Sequence, residues 1–352
     1  MTTFDVTAPG YVLSRSTAPG SAPNRCTVPS PASNRDSVPG RAFNQGSTPL
    51  PVPSQNGQPA APVDASSLSR HDRASVLAME GVCLSFGAKR VLEGLTFAVQ
   101  RGECFGFLGP SGAGKTTTIK LLTRQLMRDT GRIQLFGRPI EHASSADYDR
   151  IGILSDTSAL YERLSIEENL RLYAHIRGRG QRDIDRLLER MKLSGDRRTL
   201  IKNCSKGMRQ RAALLCALIH APELLFLDEP TSGLDPAARA EVHRMLNELK
   251  RAGTTIFITT HDMAEAEALC DRLAILDRGR IIALDAPQSL SMRYARNRIV
   301  VTTRTRGVME LTRDAASAQT VFDLLAAGEV LAIHSDEPNL EEVFLELTGR
   351  NL

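Results

Sequence analysis

Residues 109–116 read GPSGAGKT, and they stand between a strand-like run, ECFGFL (103–108), and a helix-like run, KTTTIKLLTRQL (115–126). The octet matches GxxxxGK followed by Ser or Thr, the pattern of a phosphate-cradling P-loop, in the strand-to-helix setting that the pattern requires. Gly109, Gly112 and Gly114 allow backbone conformations that turn several N–H groups inward. The start of the following helix adds partial positive charge, and Lys115 adds a full one. Pro110, Ser111 and Ala113 complete the loop; Thr116 is placed to ligate Mg²⁺ and Thr117 to offer a hydroxyl to a phosphate oxygen. The plainer alternative, an ordinary glycine-rich turn, does not account for the flanking elements.

Working outward, ELLFLDE (223–229) and TTIFITTHD (254–262) are continuous apolar runs that end in polar residues. Such runs read as central parallel strands buried on both faces, with chemistry at their carboxyl ends. Between them PAARAEVHRMLNELKRAG (236–253) has helical spacing at Val242, Met245, Leu246 and Leu249, with Pro236 near its start and Gly253 after its end. A strand–helix–strand crossover follows, and the fold class is α/β. Asp228 is placed to hold a Mg²⁺ shell, and Glu229 to polarise or orient an attacking water. Without the P-loop, an Asp-Glu pair at a strand end would read as simple solvation. His261 lies at the end of the next strand, toward the same crevice.

The remaining chain divides by composition. Residues 1–72 carry prolines at 9, 19, 29, 39, 49 and 59, with Arg15, Arg25 and Arg35 in the same phase. This degenerate decapeptide repeat lacks apolar periodicity and reads as a disordered tail, either a passive one or a partner-binding tether. A start of translation at Met79 is a third alternative. Residues 73–290 form the α/β domain, with a helical insertion at about 157–220 in which IEENLRLYAHIRG, IDRLLERMKL and GMRQRAALLCALIHA read as successive helices. Residues 291–352 form a smaller α+β unit, with NRIVVTTRT and EVLAIHS as strands and helices over 317–327 and 338–348. Leu340, Val343, Phe344 and Leu347 follow helical spacing, which predicts a helix packing on its own small domain.

Composition bounds the partners. With 44 Lys and Arg against 40 Asp and Glu, the net charge of +4 is too mild to indicate nucleic acid. Six cysteines without CxxC pairs point to free thiols in a reducing compartment. The longest apolar stretch, AALLCALI (212–219), is too short to span a bilayer, which takes about 20 residues. The expected location is cytoplasmic.

Taken with CSKGMRQR (204–211) and TSGLD (231–235), these motifs resemble the nucleotide-binding domain of ATP-binding cassette (ABC) transporters over nearly all of residues 76–285. The resemblance implies ATP and Mg²⁺ as cofactors and ATP hydrolysis as the reaction, with Lys115, Glu229 and His261 in catalytic roles. It places Phe86 where an aromatic ring stacks on adenine, Asp235 in the D-loop, and Asp156 in the Q-loop beside the metal ligands Thr116 and Asp228. Family members usually carry Gln at the Q-loop position, so Asp156 keeps an oxygen ligand but shortens its reach. The signature segment reads Cys204, Ser205, Lys206, Gly207, Met208 where LSGGQ is typical. In the family this segment closes over ATP held by an opposite subunit, so two cassettes are needed. One set of motifs per chain implies a homodimer or a second ATP-binding chain.

The terminal EPNLEEVFLELTGR (337–350) is similar to the tail of daunorubicin and multidrug exporter ATPases, which pair with a separate transmembrane permease. The 291–352 unit is accordingly expected to regulate or dimerise, and the chain to lie peripherally on the inner face of the plasma membrane through its permease. Two rivals differ in class. One is a soluble ABC ATPase acting on a ribosomal or nucleic-acid partner, disfavoured because those members carry paired cassettes or long coiled coils. The other is a module binding nucleotide as a structural ligand, disfavoured by Glu229 and His261.

Overall fold

A computed structural model describes residues 75–155, 160–335 and 338–349. The expectations for residues 1–72 and for Asp156 fall outside these described residues. The described residues open with β1 (Ser75–Phe86), β2 (Lys89–Gln100), β3 (Cys104–Leu108), α1 (Lys115–Leu122), β4 (Thr130–Leu135), β5 (Arg138–Pro139), α2 (Ser145–Tyr148) and β6 (Ile151–Leu154). Next come α3 (Ile166–Ile176), α4 (Gln181–Arg190), α5 (Lys206–Leu218), β7 (Leu224–Asp228), α6 (Pro236–Arg251), β8 (Thr255–Thr260) and α7 (Met263–Leu269). The last elements are β9 (Arg272–Asp277), β10 (Arg280–Asp285), α8 (Pro287–Arg293), β11 (Arg298–Thr303), β12 (Gly307–Thr312), α9 (Ala315–Ala326), β13 (Val330–Ser335) and α10 (Leu340–Thr348).

A six-stranded sheet in the order β10-β9-β3-β8-β7-β6 forms the centre. Strands β9, β3, β8, β7 and β6 run parallel, and β10 returns antiparallel at the edge. Their unbroken apolar runs follow from burial on both faces. In β7, Leu224 and Phe226 enter one core and Leu225 and Leu227 the other; in β8, Phe257 opposes Ile256 and Ile258 in the same way. The first core lies toward a four-stranded antiparallel sheet, β2-β1-β4-β5. Its centre is a cluster of phenylalanines: Phe97 and Phe105 stack with centroids 5.4 Å apart, and Phe226 packs at 5.7 Å from Phe257. Pairs of this kind contribute about 0.5–1.5 kcal/mol each beyond the area they bury.

The second core lies under the helices. Helices α3, α4 and α5 occupy the chain between β6 and β7, as the apolar spacing predicts. Ser165 caps α3 and exchanges a capping box with Glu168, which fixes its start. Asp235 caps α6 by accepting from the Ala238 N–H at 2.9 Å, with Pro236 in the first turn.

Beyond β10 lies a three-stranded antiparallel sheet, β12-β11-β13, with α9 between β12 and β13 in the chain. Strand β12 is absent from the sequence reading: four of the six residues of GVMELT are exposed, and its apolar alternation is limited to Met309 and Leu311. The structure corrects the packing of the last helix. Leu340, Val343 and Phe344 of α10 are fully buried in the helical core beside α7 and α8, so this helix packs on the α/β domain, not on its own small sheet. The Glu267 carboxylate of α7 accepts from the Leu340 N–H at 3.0 Å and pins the start of α10 there.

Candidate functional site

The GPSGAGKT loop leaves β3 at Leu108 and enters α1 at Lys115, at the carboxyl edge of the central sheet. Gly109 passes so close to β9 that a β-carbon there would lie 2.3 Å from the Leu276 carbonyl oxygen. At the loop tip Gly112 has a φ of +80° with nothing within 4 Å of a β-carbon. The two glycines thus serve different needs, close approach at one and left-handed backbone at the other.

Lys115 is 5% exposed, and its ammonium donates to the carbonyl oxygens of Gly109 at 2.7 Å and Pro110 at 3.3 Å. The same ammonium lies 3.4 Å from Glu229 Oε1. A cavity of about 300 Å³ opens here, walled by the loop from Ser111 to Thr117, by Val91 and by Glu229. Phe86 stands apart from that wall, at the end of β1, and is half exposed.

At the end of β7, Asp228 is buried and accepts from the Thr116 hydroxyl at 2.7 Å through Oδ2. Its Oδ1 accepts from the Thr259 hydroxyl of β8. Thr259 is absent from the sequence reading, although two hydroxyls at the end of an apolar run, Thr259 and Thr260, were a usable signal. Glu229 follows with a φ of +47°, a left-handed conformation that a non-glycine residue holds only where its surroundings over-determine it. Its N–H donates to the Thr259 carbonyl at 3.0 Å. The Glu229 Oε2 atom lies 3.2 Å from His261 Nδ1, so the two strand ends meet through these side chains.

The signature segment begins α5. The Ser205 hydroxyl caps that helix, accepting from the Met208 N–H at 3.1 Å, and Lys206 is exposed in its first turn. Gly207 is buried against the D-loop: a β-carbon there would lie 3.1 Å from Ala238 Cβ and 3.6 Å from Asp235 Oδ2. Lys206 also lines a cavity of about 530 Å³ that reaches Asp228, Glu229 and Ser232. The structure thus brings Lys115, Thr116, Asp228, Glu229 and His261 to one place, with the signature and D-loop segments packed on each other beside it.

No helix among the described residues is long and apolar enough to cross a membrane. A family profile described as ABC transporter matches residues 92–232. A fluoroquinolones export ATP-binding protein of Mycobacterium tuberculosis is 42% identical over 270 residues, which cover 75% of this chain and 90% of that protein. A daunorubicin resistance ATP-binding protein of Streptomyces coeruleorubidus is 37% identical over 304 residues, covering 78% of this chain and 96% of that protein. Among solved structures, the ATP binding subunit of an ABC transporter superposes with a TM-score of 0.61 at 29% identity, covering 78% of this chain and all of the other. The matched regions contain the P-loop and the Asp228–Glu229 strand end, so the site and the comparisons agree: this chain belongs to the ATP-binding subunits of ABC transporters and is an ABC transporter ATPase.

Proposed function

We propose that the chain binds MgATP in a sandwich of two cassettes and powers export through a separate transmembrane permease. The observation that carries this reading is the meeting of Lys115, the Thr116–Asp228 pair and the Glu229–His261 pair at one edge of the central sheet. The Thr116 hydroxyl and the Asp228 carboxylate offer two hard oxygen donors 2.7 Å apart, a set suited to Mg²⁺, which takes few protein ligands and completes its shell with phosphate oxygens and water. Bound there, the ion would neutralise charge developing on the phosphates.

The chain's own residues do the rest. Lys115, already aimed into the loop, exchanges its two carbonyl partners for phosphate oxygens. Residues 109–117 hold the phosphate chain with backbone N–H groups and the Ser111 and Thr117 hydroxyls. Glu229 orients or deprotonates the attacking water, and His261 holds Glu229 and the cleft in register. Phe86 stacks on the base. Ser205, Lys206, Gly207 and Met208 cover the nucleotide of the second copy, and Asp235 adjoins them. Asp156 serves as the Q-loop residue linking site and permease; Asp156→Gln leaves ATP affinity unchanged and alters permease-stimulated hydrolysis, and unchanged stimulation would assign it a passive place in the loop. Relatives named for fluoroquinolone export and daunorubicin resistance support export as the direction. Residues 1–72 and 73–290 are proposed as tail and cassette, and 291–352 as a regulatory or dimerising unit whose last helix, α10, is seated on the cassette core.

The test is Glu229→Gln. Hydrolysis falls by two or more orders of magnitude while ATP still binds, and an ATP-dependent dimer accumulates in light scattering. Hydrolysis at the parental rate would remove Glu229 from this role.

A further inference from the structure

Behind the Glu229–His261 pair lies a carboxylate with no place in the mechanism above. Glu265 of α7 is 2% exposed, and its Oε1 accepts from the Thr231 hydroxyl at 2.6 Å and faces His243 Nε2 at 3.2 Å. Thr231 is equally buried. These three residues come from three elements: the loop after β7, the middle of α6 and the first turn of α7. A recess of about 50 Å³ has Glu229, Thr231, His261 and Glu265 in its wall, so the carboxylate stands next to the site.

Burial of a carboxylate costs more than burial of an apolar residue of the same size, unless hydrogen bonds offset it, and such groups are retained where they set geometry. The geometry at stake is local. Glu229 holds a left-handed backbone, tethered on its amino side by the bond from its N–H to Thr259. On its carboxyl side the chain turns tightly, with Ser232 N–H donating to the Glu229 carbonyl at 3.2 Å and Leu234 N–H to the Thr231 carbonyl at 3.1 Å. The side-chain anchor of that turn is the Thr231–Glu265 bond. Its far end is built into the helix that follows His261, whose first turn is capped by Asp262 and tied to α6 by the Arg239–Asp262 pair at 2.7 Å.

We propose that Thr231, Glu265 and His243 form a positioning clasp that holds Glu229 in its left-handed conformation and fixes its carboxylate relative to His261. Thr231 and Glu265 do not line the P-loop cavity, which the clasp reaches only through Glu229, so the clasp acts on turnover and not on nucleotide affinity. The inference rests on the reading of Glu229 as the residue that faces the water.

The test uses the full-length chain, with steady-state ATP hydrolysis, nucleotide titration and thermal unfolding measured on the same preparations. Thr231→Val, which keeps the shape and removes the hydroxyl, lowers kcat about ten- to a hundredfold with KM for ATP within about twofold. Thr231→Ser returns kcat to within about threefold of the parent. Glu265→Gln lowers kcat by a smaller factor, since its amide oxygen still accepts. The double variant Thr231→Val with Glu265→Gln is no slower than Thr231→Val alone, because Glu265→Gln weakens the same bond that Thr231→Val removes. A merely structural role would lower the unfolding temperature without separating kcat from KM and without rescue by serine.

The clasp is overturned if Thr231→Val turns over at the parental rate per folded molecule, if KM rises while kcat holds, or if the two substitutions multiply. Should Thr231→Val not fold, Glu265→Gln decides: reduced kcat at unchanged KM supports the clasp, and parental kcat ends it. Parental hydrolysis by Glu229→Gln would sink the underlying reading, whereas an inactive Glu229→Gln beside a fully active Thr231→Val sinks the clasp alone.

Discussion

Gly109 gives the sharpest test of how the P-loop is built. A methyl group at residue 109 would place its carbon 2.3 Å from the Leu276 oxygen and 3.3 Å from the Leu276 carbonyl carbon. Carbon–oxygen contacts of this kind settle at roughly 3.3–3.6 Å, so Gly109→Ala must push β3 and β9 apart by about 1 Å at their carboxyl ends. That displacement works against ladder bonds, since Leu108 is in register with Ile275 and Leu276 with Ile281 of the next strand. Overpacking against backbone costs about 1–3 kcal/mol and sometimes more; with no flexible side chain to yield, about 3 kcal/mol is expected. Gly112→Ala meets no atom within 4 Å and carries only the left-handed penalty, about 1 kcal/mol. Thermal unfolding without nucleotide, which would otherwise add its own stabilisation, should show a fall of about 6–12 °C for Gly109→Ala against about 2–4 °C for Gly112→Ala. Gly109→Ala should also bind ATP more weakly, because the loop backbone whose N–H groups cradle the phosphates moves with residue 109. Equal losses for the two variants would refute the close-approach argument.

Two further outcomes follow from named contacts. Hydrogen bonds from Arg150, and then from Arg101, hold the Glu223 carboxyl down at about 2, well below the usual carboxylate range. Stability from this pair is therefore full above about pH 4.5 and is lost as pH falls from there toward 2. Because Glu223 is 43% exposed, solvent screening reduces the contribution to about 1 kcal/mol. Arg150→Ala, which also removes a guanidinium 3.7 Å from the Phe136 ring centroid, should destabilise at pH 7 and flatten the acid limb of a stability–pH curve; an unchanged limb would rule the pair out. Phe344→Ala opens a cavity in the helical core and should cost about 3–5 kcal/mol, read as a single shifted transition in urea. Loss of the small sheet alone, with the cassette unmoved, would show that α10 is not part of that core.

The chemistry of the site was legible where local pattern and local chemistry coincide. The P-loop is a contiguous string whose spacing encodes a backbone shape, and Asp228, Glu229 and His261 stand where apolar runs stop, which marks the carboxyl ends of buried strands. Helix α6 could be bounded by Pro236 and Gly253 because caps act within one turn. The edge strands were harder. Strand β12 is mostly exposed, and β9 and β10 are a hairpin whose edge position shows only in the sheet order.

Sequence by itself therefore determined the α/β class, the phosphate loop, the residues at the strand ends and the family, since each rests on residues close in the chain or on a motif in fixed order. Only tertiary structure decided what those residues touch. It placed Lys115 within 3.4 Å of Glu229, tied Thr259 to Asp228, set Glu265 under Thr231, and sent α10 to the cassette core instead of its own sheet. In each of these the partners lie between about 30 and 114 residues apart or on separate elements, and neither residue's local sequence carries a trace of the other. Contact at that range is set by sheet order and helix packing, which arise from burial across the whole domain.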